Sequence, residues 1–164
     1  MAEWRRLYKG EWKHGAERVR HVKERIESWG CGLVVEFGFM ADSTQYVLAG
    51  MPKGHEKGEP DLYVLHKKKH IANIEVTGSW KDIRGYSLFL RPDKVKWAKK
   101  HPIPKTWAWF VYNDKEFVIA CIDAGQYPIV EKNFRGRIEH YHEIPQADTF
   151  SPEMLREFLC RQRK

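Results

Sequence analysis

Two acidic residues stand in strand-like segments on either side of a short basic turn. Asp61 begins the apolar run 61–65, and Glu75 lies inside the run 71–77, with the segment HKKKH between them. In a hairpin centred on Lys68, Asp61 faces Glu75, and the β-carbons of facing residues are about 5 Å apart. Two carboxylates at this distance repel each other unless a cation lies between them or one takes up a proton. Because Mg²⁺ prefers oxygen ligands, the pair predicts a metal site.

The alternation of side chains along 71–77 supports this interpretation. Asn73 and Thr77 share the face of Glu75, whereas the residues between them are apolar and point to the other face. Taken singly, Asp61 fits an ordinary turn acid after a proline, and Glu75 fits a salt-bridged residue of an edge strand. Their opposition across one hairpin favours a metal site over these alternatives.

Further elements must position this hairpin. The stretch 15–29 is predicted to be a helix, because its apolar residues recur at helical spacing. Glycines and prolines over 50–60 predict a mobile loop. The other expected elements are strands at 33–40, 46–49, 106–112, 116–122 and 138–144, a helix over Pro92–Lys100, and a last helix after Ser151. This order predicts an α/β fold with a mixed central β-sheet flanked by helices.

Composition limits the class of protein. The chain has 164 residues, of which 42% are hydrophobic, and its net charge of +7 favours a polyanionic partner, nucleic acid before an anionic membrane. Three separated cysteines without a C-x-x-C pair argue against a disulfide framework and indicate a reducing compartment. The amino terminus lacks the apolar core of a signal peptide, and no apolar run approaches bilayer length. We therefore expect a soluble, cytoplasmic protein that does not enter a membrane.

Three short motifs, taken with the element order, carry a resemblance. The chain has Gly15-Ala16-Glu17 in the first helix, Pro60-Asp61 before one strand and Glu75-Val76-Thr77 on the next. This pattern resembles the PD-(D/E)XK nuclease superfamily, with the archaeal Holliday-junction resolvases as the nearest branch. The resemblance covers about residues 14–123. It implies a restriction-endonuclease-like core of order α-β-β-β-α-β in a single domain over 1–164, with a strand-and-helix extension over 124–164.

The resemblance also implies an activity and roles for individual residues. It implies a DNA endonuclease that depends on Mg²⁺ or Mn²⁺, and the likeness to the resolvases implies branched DNA as the substrate and a homodimer. Asp61 and Glu75 hold the metal in this family pattern, with the Val76 carbonyl as a further ligand. Glu17 assists from the first helix. Glu36, an acid inside an apolar strand, is the rival for this accessory role, and Glu17 also fits a first-turn acid that interacts with the helix dipole.

The chain departs from the family at one position, because Thr77 replaces the lysine of the motif. A neutral hydroxyl stabilises transition-state charge less well than an ammonium. Either another lysine fills this role, with Lys96 and Lys81 as the candidates, or the nuclease is weakened or silent. Lysines 67–69 are poor substitutes, since they lie at the hairpin tip, roughly 20 Å from Glu75 at about 3.3 Å per residue.

Other side chains are expected to contact nucleic acid. Lys94, Lys99 and Lys100 on the helix before the next strand are predicted to meet the phosphate backbone, and Trp80 to stack on an unpaired base. A zinc site is not expected, because the histidines lack paired cysteines. Two alternatives to a DNA endonuclease remain open: a catalytically silent DNA-binding module that keeps the nuclease fold, and a nuclease that acts on RNA.

Overall fold

The structure is a computed structural model that describes residues 2–38, 55–79, 83, 85–113, 115–134 and 136–161. Within these ranges, side chains are described from residue 15 onward, except that of residue 134. Trp80, Lys81 and the expected strand at 46–49 lie outside the described residues.

The described chain forms helices and strands in an alternating order. They are α1 (Ala2–Glu27), β1 (Leu33–Phe37), β2 (Leu62–His66), β3 (Lys69–Ser79), β4 (Ser87–Leu90), α2 (Pro92–Lys100), β5 (Thr106–Tyr112), β6 (Lys115–Ala120), α3 (Cys121–Ala124), β7 (Ile129–Phe134), β8 (Arg137–Pro145) and α4 (Pro152–Arg161). None of the helices described here is long and apolar enough to cross a bilayer.

The strands form two sheets. The larger has the order β1-β2-β3-β5-β6, and its only parallel pair among these strands is β3 with β5. The smaller has the order β4-β8-β7 and is antiparallel. Since a parallel pair requires a crossover, β4 and α2 lie between β3 and β5 in the chain. The expected mixed sheet flanked by helices is confirmed.

Apolar layers cover both faces of the larger sheet. On one face α1 and α4 bury their apolar stripes against the face of Ile74, and Leu155 and Leu159 anchor α4 there. On the other face α2 and α3 pack with the smaller sheet, through residues such as Val95 and Ile144. Fully burying one such side chain contributes about 1.5–3 kcal/mol. Glu75 and Asn73 point to this second face, where Lys94 of α2 reaches Glu75.

The register of the β2–β3 hairpin combines a tight turn with a bulge. Lys67 and Lys68 form a two-residue turn, both with positive φ of 50° and 66°, as twisted hairpins favour. A register shift between Val64 and Leu65 follows. Beyond it Leu62 faces Ile74, as a turn centred on Lys68 predicts. The predicted register is therefore right next to the acids and wrong at the tip, because the bulge adds one residue to β3 relative to β2.

Several sequence expectations need correction. The first helix begins at Ala2 rather than at residue 15, and β6 ends at Ala120, where α3 takes over. Strands β4 and β7 were not expected, because β4 has only four residues and the described side chains of β7 are mostly exposed, so neither gives a clear alternation of apolar and polar residues. Residues 55–60, expected to be mobile, are fastened to α2 and its C-cap: Glu56 accepts hydrogen bonds from Lys100 (2.9 Å) and His101 (2.7 Å).

The cysteine pattern argued against a disulfide framework, but the structure contains one disulfide. Cys31 and Cys160 form a disulfide with a Cα–Cα distance of 5.8 Å, while Cys121 is free and buried. The pairing was missed because 129 residues separate the two cysteines, yet α4 returns to the start of β1. The disulfide also removes the argument from cysteine usage for a reducing compartment.

Candidate active site

Asp61 is fixed by main-chain contacts at the start of β2. Its N–H donates to the Ile74 carbonyl at 3.1 Å, and its Oδ2 accepts a hydrogen bond from the Val76 N–H at 2.9 Å. The side chain is only 4% exposed. Burial raises the pKa of the Asp61 carboxyl, against the opposing effects of Lys94 and the Val76 N–H. The carboxylate is thus held rigidly toward β3.

Glu75 lies in the middle of β3 and meets Asp61. It is 6% exposed, and its position on β3 is opposite Asp61, since the Asp61 N–H pairs with the Ile74 carbonyl and Leu62 faces Ile74. Burial, followed by the adjacent charge of Asp61, raises the pKa of Glu75 to about 8. The predicted opposition of the two acids is therefore present in the structure, and in the absence of a metal the pair retains a proton near neutral pH.

A lysine from α2 enters the same site. Lys94 Nζ lies 3.0 Å from Glu75 Oε2 and donates a hydrogen bond to the Glu59 carbonyl at 3.1 Å. Its side chain is 13% exposed. Burial lowers the pKa of Lys94, but the carboxylates of Glu75 and Asp61 outweigh burial and hold the pKa above its ordinary value. Lys94 was expected to meet the phosphate backbone; the structure places it beside the acids instead.

The start of α2 positions Lys94. Pro92 occupies the first turn of the helix, where its missing N–H costs nothing. Arg91 donates two hydrogen bonds to Asp93, from Nε to Oδ1 at 2.9 Å and from Nη2 to Oδ2 at 2.6 Å. Gly58 packs so closely on this turn that an added Cβ would lie 2.3 Å from the Asp93 carbonyl oxygen. The loop carrying Glu59 therefore contacts α2 at the turn that holds Lys94.

The residues present fit a hard divalent cation. Glu75 Oε2 is buried and, among the described residues, accepts no hydrogen bond, although the Lys94 ammonium lies 3.0 Å away. In a strand the N–H and C=O of one residue point to the same side, so the Val76 carbonyl also points toward the side of Asp61. In the described part of the chain, no third His, Cys, Asp or Glu completes a ligand cluster. A cation such as Mg²⁺, which keeps several waters, needs only one or two carboxylates.

The other expected acids lie farther away. Glu36 is exposed on β1, opposite Tyr63, and thus two strands from β3, roughly 10 Å at the usual spacing. Glu17 is partly buried on α1, which packs on the opposite face of the sheet from Glu75. Within the described residues neither acid joins Asp61 and Glu75 in a cluster.

The polar residues that flank Glu75 along β3 differ in role. Asn73 is 1% exposed and tied to neighbouring elements, since its Nδ2 donates to the Pro104 carbonyl at 3.1 Å and to Thr106 Oγ1 at 3.3 Å. It therefore serves the fold. Thr77 is partly buried two residues beyond Glu75, on the same face.

The remaining lysines of α2 face solvent. Lys96, the expected catalytic lysine, is exposed, as are Lys99 and Lys100. Helical phase explains why Lys94 alone turns inward: at 100° per residue it falls between Trp97 and Ala98, inside the apolar stripe, whereas Lys96 falls on the opposite side. A lysine inside an apolar stripe was the signal that could have identified Lys94 from the sequence.

Comparisons with known proteins address the fold. No protein-family model matches the chain, and no curated protein matches its sequence. Among solved structures, Archaeoglobus fulgidus Hjc, a Holliday junction resolvase from an archaeal hyperthermophile, is similar with a TM-score of 0.50 and 11% identity, over 87% of this chain and 99% of that chain. A nuclease from a fusselovirus has a TM-score of 0.49 and 19% identity, over 90% of this chain and 88% of that chain. The chain therefore shares the fold of this resolvase, the restriction-endonuclease-like fold expected from the sequence.

Proposed function

We propose that this protein is a nuclease that hydrolyses phosphodiester bonds in DNA with Mg²⁺ or Mn²⁺. The observation that carries the proposal is the buried pair of Asp61 and Glu75, with Glu75 Oε2 free of hydrogen bonds from the described residues. A structural ion pair with Lys94 needs only one carboxylate, whereas the second carboxyl group can exchange its proton for a divalent cation that both acids hold.

The roles of the chain's own residues follow from this geometry. Asp61 and Glu75 hold the cation, and the Val76 carbonyl lies on the side where it can add a ligand. When bound, the cation polarises a phosphate oxygen and lowers the pKa of water. In the net reaction the water oxygen bonds to phosphorus, one P–O ester bond breaks, and the leaving oxygen ends with one of the water protons.

Nucleic acid as the substrate is supported by charge. The chain carries a net charge of +7, and the exposed lysines of α2, Lys96 and Lys99, stand on the helix that supplies Lys94. Such lysines neutralise phosphates without reading sequence. We propose branched DNA as the preferred shape, following the sequence expectation.

The alternative with a specific observation in its favour is a silent DNA-binding module, because Thr77 occupies the position of the motif lysine. The two functions differ in whether metal-dependent cleavage occurs.

Cleavage of end-labelled nucleic acids tests the proposal. The substrates are a DNA duplex, a single strand, a flap, a four-way junction and an RNA duplex, each with Mg²⁺, Mn²⁺ or EDTA. The variants are Asp61→Asn, Glu75→Gln and, as matched control, Glu24→Gln, an exposed carboxylate on α1. We expect metal-dependent DNA cleavage that the first two variants reduce by at least about 10³-fold and the control leaves intact. Salt-sensitive binding without cleavage under any metal would identify the silent module.

A further inference from the structure

The motif lysine has no counterpart at position 77, yet the site contains a lysine. The geometry points to Lys94 as the catalytic cation of this site, supplied by α2 in place of β3. This inference rests on the proposed nuclease function and adds a residue that the motif does not contain.

The length of a lysine side chain allows the ammonium to come from position 94 instead of position 77. Thr77 stands two residues beyond Glu75 on the same face, about 7 Å along the strand, which is within the reach of an extended lysine side chain. Lys94 Nζ, coming from the helix packed over that face, already lies 3.0 Å from Glu75 Oε2. An ammonium from either backbone position can occupy the same region, and the short threonine side chain leaves this region to Lys94.

The surroundings of Lys94 hold its ammonium in place. Glu59 offers a carbonyl at 3.1 Å, and the close approach of Gly58 to Asp93 fixes the loop that bears it. An exposed lysine would lose side-chain entropy on entering the transition state, whereas Lys94 is ordered beforehand. Preorganised charges of this kind contribute most to catalysis.

The net charge of the site also favours a catalytic role for Lys94 over the role of a permanent counter-ion. With both carboxylates ionised, a divalent cation and the Lys94 ammonium together give the loaded site a net charge of about +1. The loaded site is then positive where a phosphate diester is negative. Lys94 keeps its proton and stabilises the charge that grows on the phosphate oxygens while the water oxygen bonds to phosphorus and the ester bond breaks.

The test uses four variants of the full chain. Lys94→Met removes the charge and keeps the length of the side chain; Lys94→Arg keeps the charge. Lys94→Met with Thr77→Lys returns a lysine to the motif position. Lys115→Met, an exposed lysine on β6, is the matched control. For each we would measure kcat and KM on the best DNA substrate, Mn²⁺ affinity by electron paramagnetic resonance, and Tm.

For Lys94→Met we expect kcat to fall by about 10²–10³-fold, the range for removal of one preorganised donor, with KM changed less than about threefold. Mn²⁺ affinity should be equal or higher, because the ammonium no longer competes for Glu75. The double variant should recover at least about tenfold of the lost kcat. If Lys94 were only structural, its substitution would lower Tm, Mn²⁺ affinity and kcat together, and a lysine at position 77 would not restore kcat.

Two results would overturn the inference while the proposed function stands. In the first, the native enzyme cleaves DNA and the Lys94→Met variant cleaves it with the same kcat. In the second, the Lys94→Met variant loses Mn²⁺ binding in parallel with kcat. If Lys94→Met does not fold, Lys94→Arg decides: it keeps a positive charge, so a folded Lys94→Arg variant whose kcat falls as far as expected for complete loss of the charge also overturns the inference. A native protein that binds Mn²⁺ but cleaves no substrate overturns the proposed function itself.

Discussion

The carboxyl group of Glu75 should make the metal-free protein less stable as the pH rises. Its pKa is raised from 4.5 to about 8, chiefly by burial and then by Asp61. Between these two pH values the folded protein keeps the proton and the unfolded chain releases it. The folded state then binds more protons than the unfolded state, so the free energy of unfolding falls with increasing pH. Asp61, whose pKa is also raised, acts in the same direction.

The size of the effect follows from the pKa. Each pH unit in this window is worth about 1.4 kcal/mol, so the free energy of unfolding falls by about 3 kcal/mol between pH 4.5 and 7 through Glu75 alone. Glu75→Gln carries a neutral amide of the same shape and has no proton to release. In EDTA, we expect this variant to be about 3 kcal/mol more stable than the native protein at pH 7 and nearly equal to it at pH 4.5.

Urea unfolding from pH 4.5 to 8, followed by circular dichroism in EDTA, measures both curves. Glu24→Gln is the control, because an exposed substitution should change stability by less than about 0.5 kcal/mol at every pH. If the native and Glu75→Gln curves run parallel, Glu75 is ionised throughout and Lys94 alone neutralises it. That result would refute the shared proton in the metal-free site.

Other parts of the structure give further predictions. Mn²⁺ affinity should rise about tenfold per pH unit from pH 6 to 8, because the metal displaces the proton of Glu75; calorimetry in buffers of different ionisation enthalpy would detect the released proton, and a flat profile would contradict it. Cys160→Ser should lower the free energy of unfolding by about 4 kcal/mol, since the disulfide closes a long loop, and a reductant should destabilise the native protein but not this variant. Asn73→Ala should cost about 2–3 kcal/mol by leaving buried groups unpaired, measurable by urea unfolding, whereas an unchanged midpoint would mean that water replaces the amide.

Patterns with strong local causes could be predicted from the sequence. The opposition of Asp61 and Glu75 follows from hairpin symmetry, and α2 follows from Pro92 and helical spacing. The predicted register is right next to the acids, although the turn is centred between Lys67 and Lys68 rather than on Lys68. A two-residue turn followed by a bulge gives the same pairing beyond Val64 as a longer turn without a bulge.

Features that depend on long-range packing could not be predicted. The disulfide requires α4 to return to the end of α1, and neither Cys31 nor Cys160 has a local pattern that says so. Glu36 was expected to be an accessory acid of the site for a similar reason. An acid inside an apolar run indicates a buried site only when the strand is covered on both faces. Glu36 lies on the edge strand, where its face is open to solvent.

Lys94 shows that a positive charge can reach this site from a backbone position outside the sequence motif. A motif fixes the backbone position of a lysine, whereas the electrostatic energy between an ammonium and a charged phosphate depends on their distance and on the local dielectric. Any backbone position that delivers the ammonium to Glu75 satisfies the chemistry, and α2 packs over the face on which Glu75 and Thr77 stand. The absence of a lysine at position 77 therefore removes the motif without removing the charge, and the proposed catalysis depends on where Lys94 points rather than on which residue follows Val76.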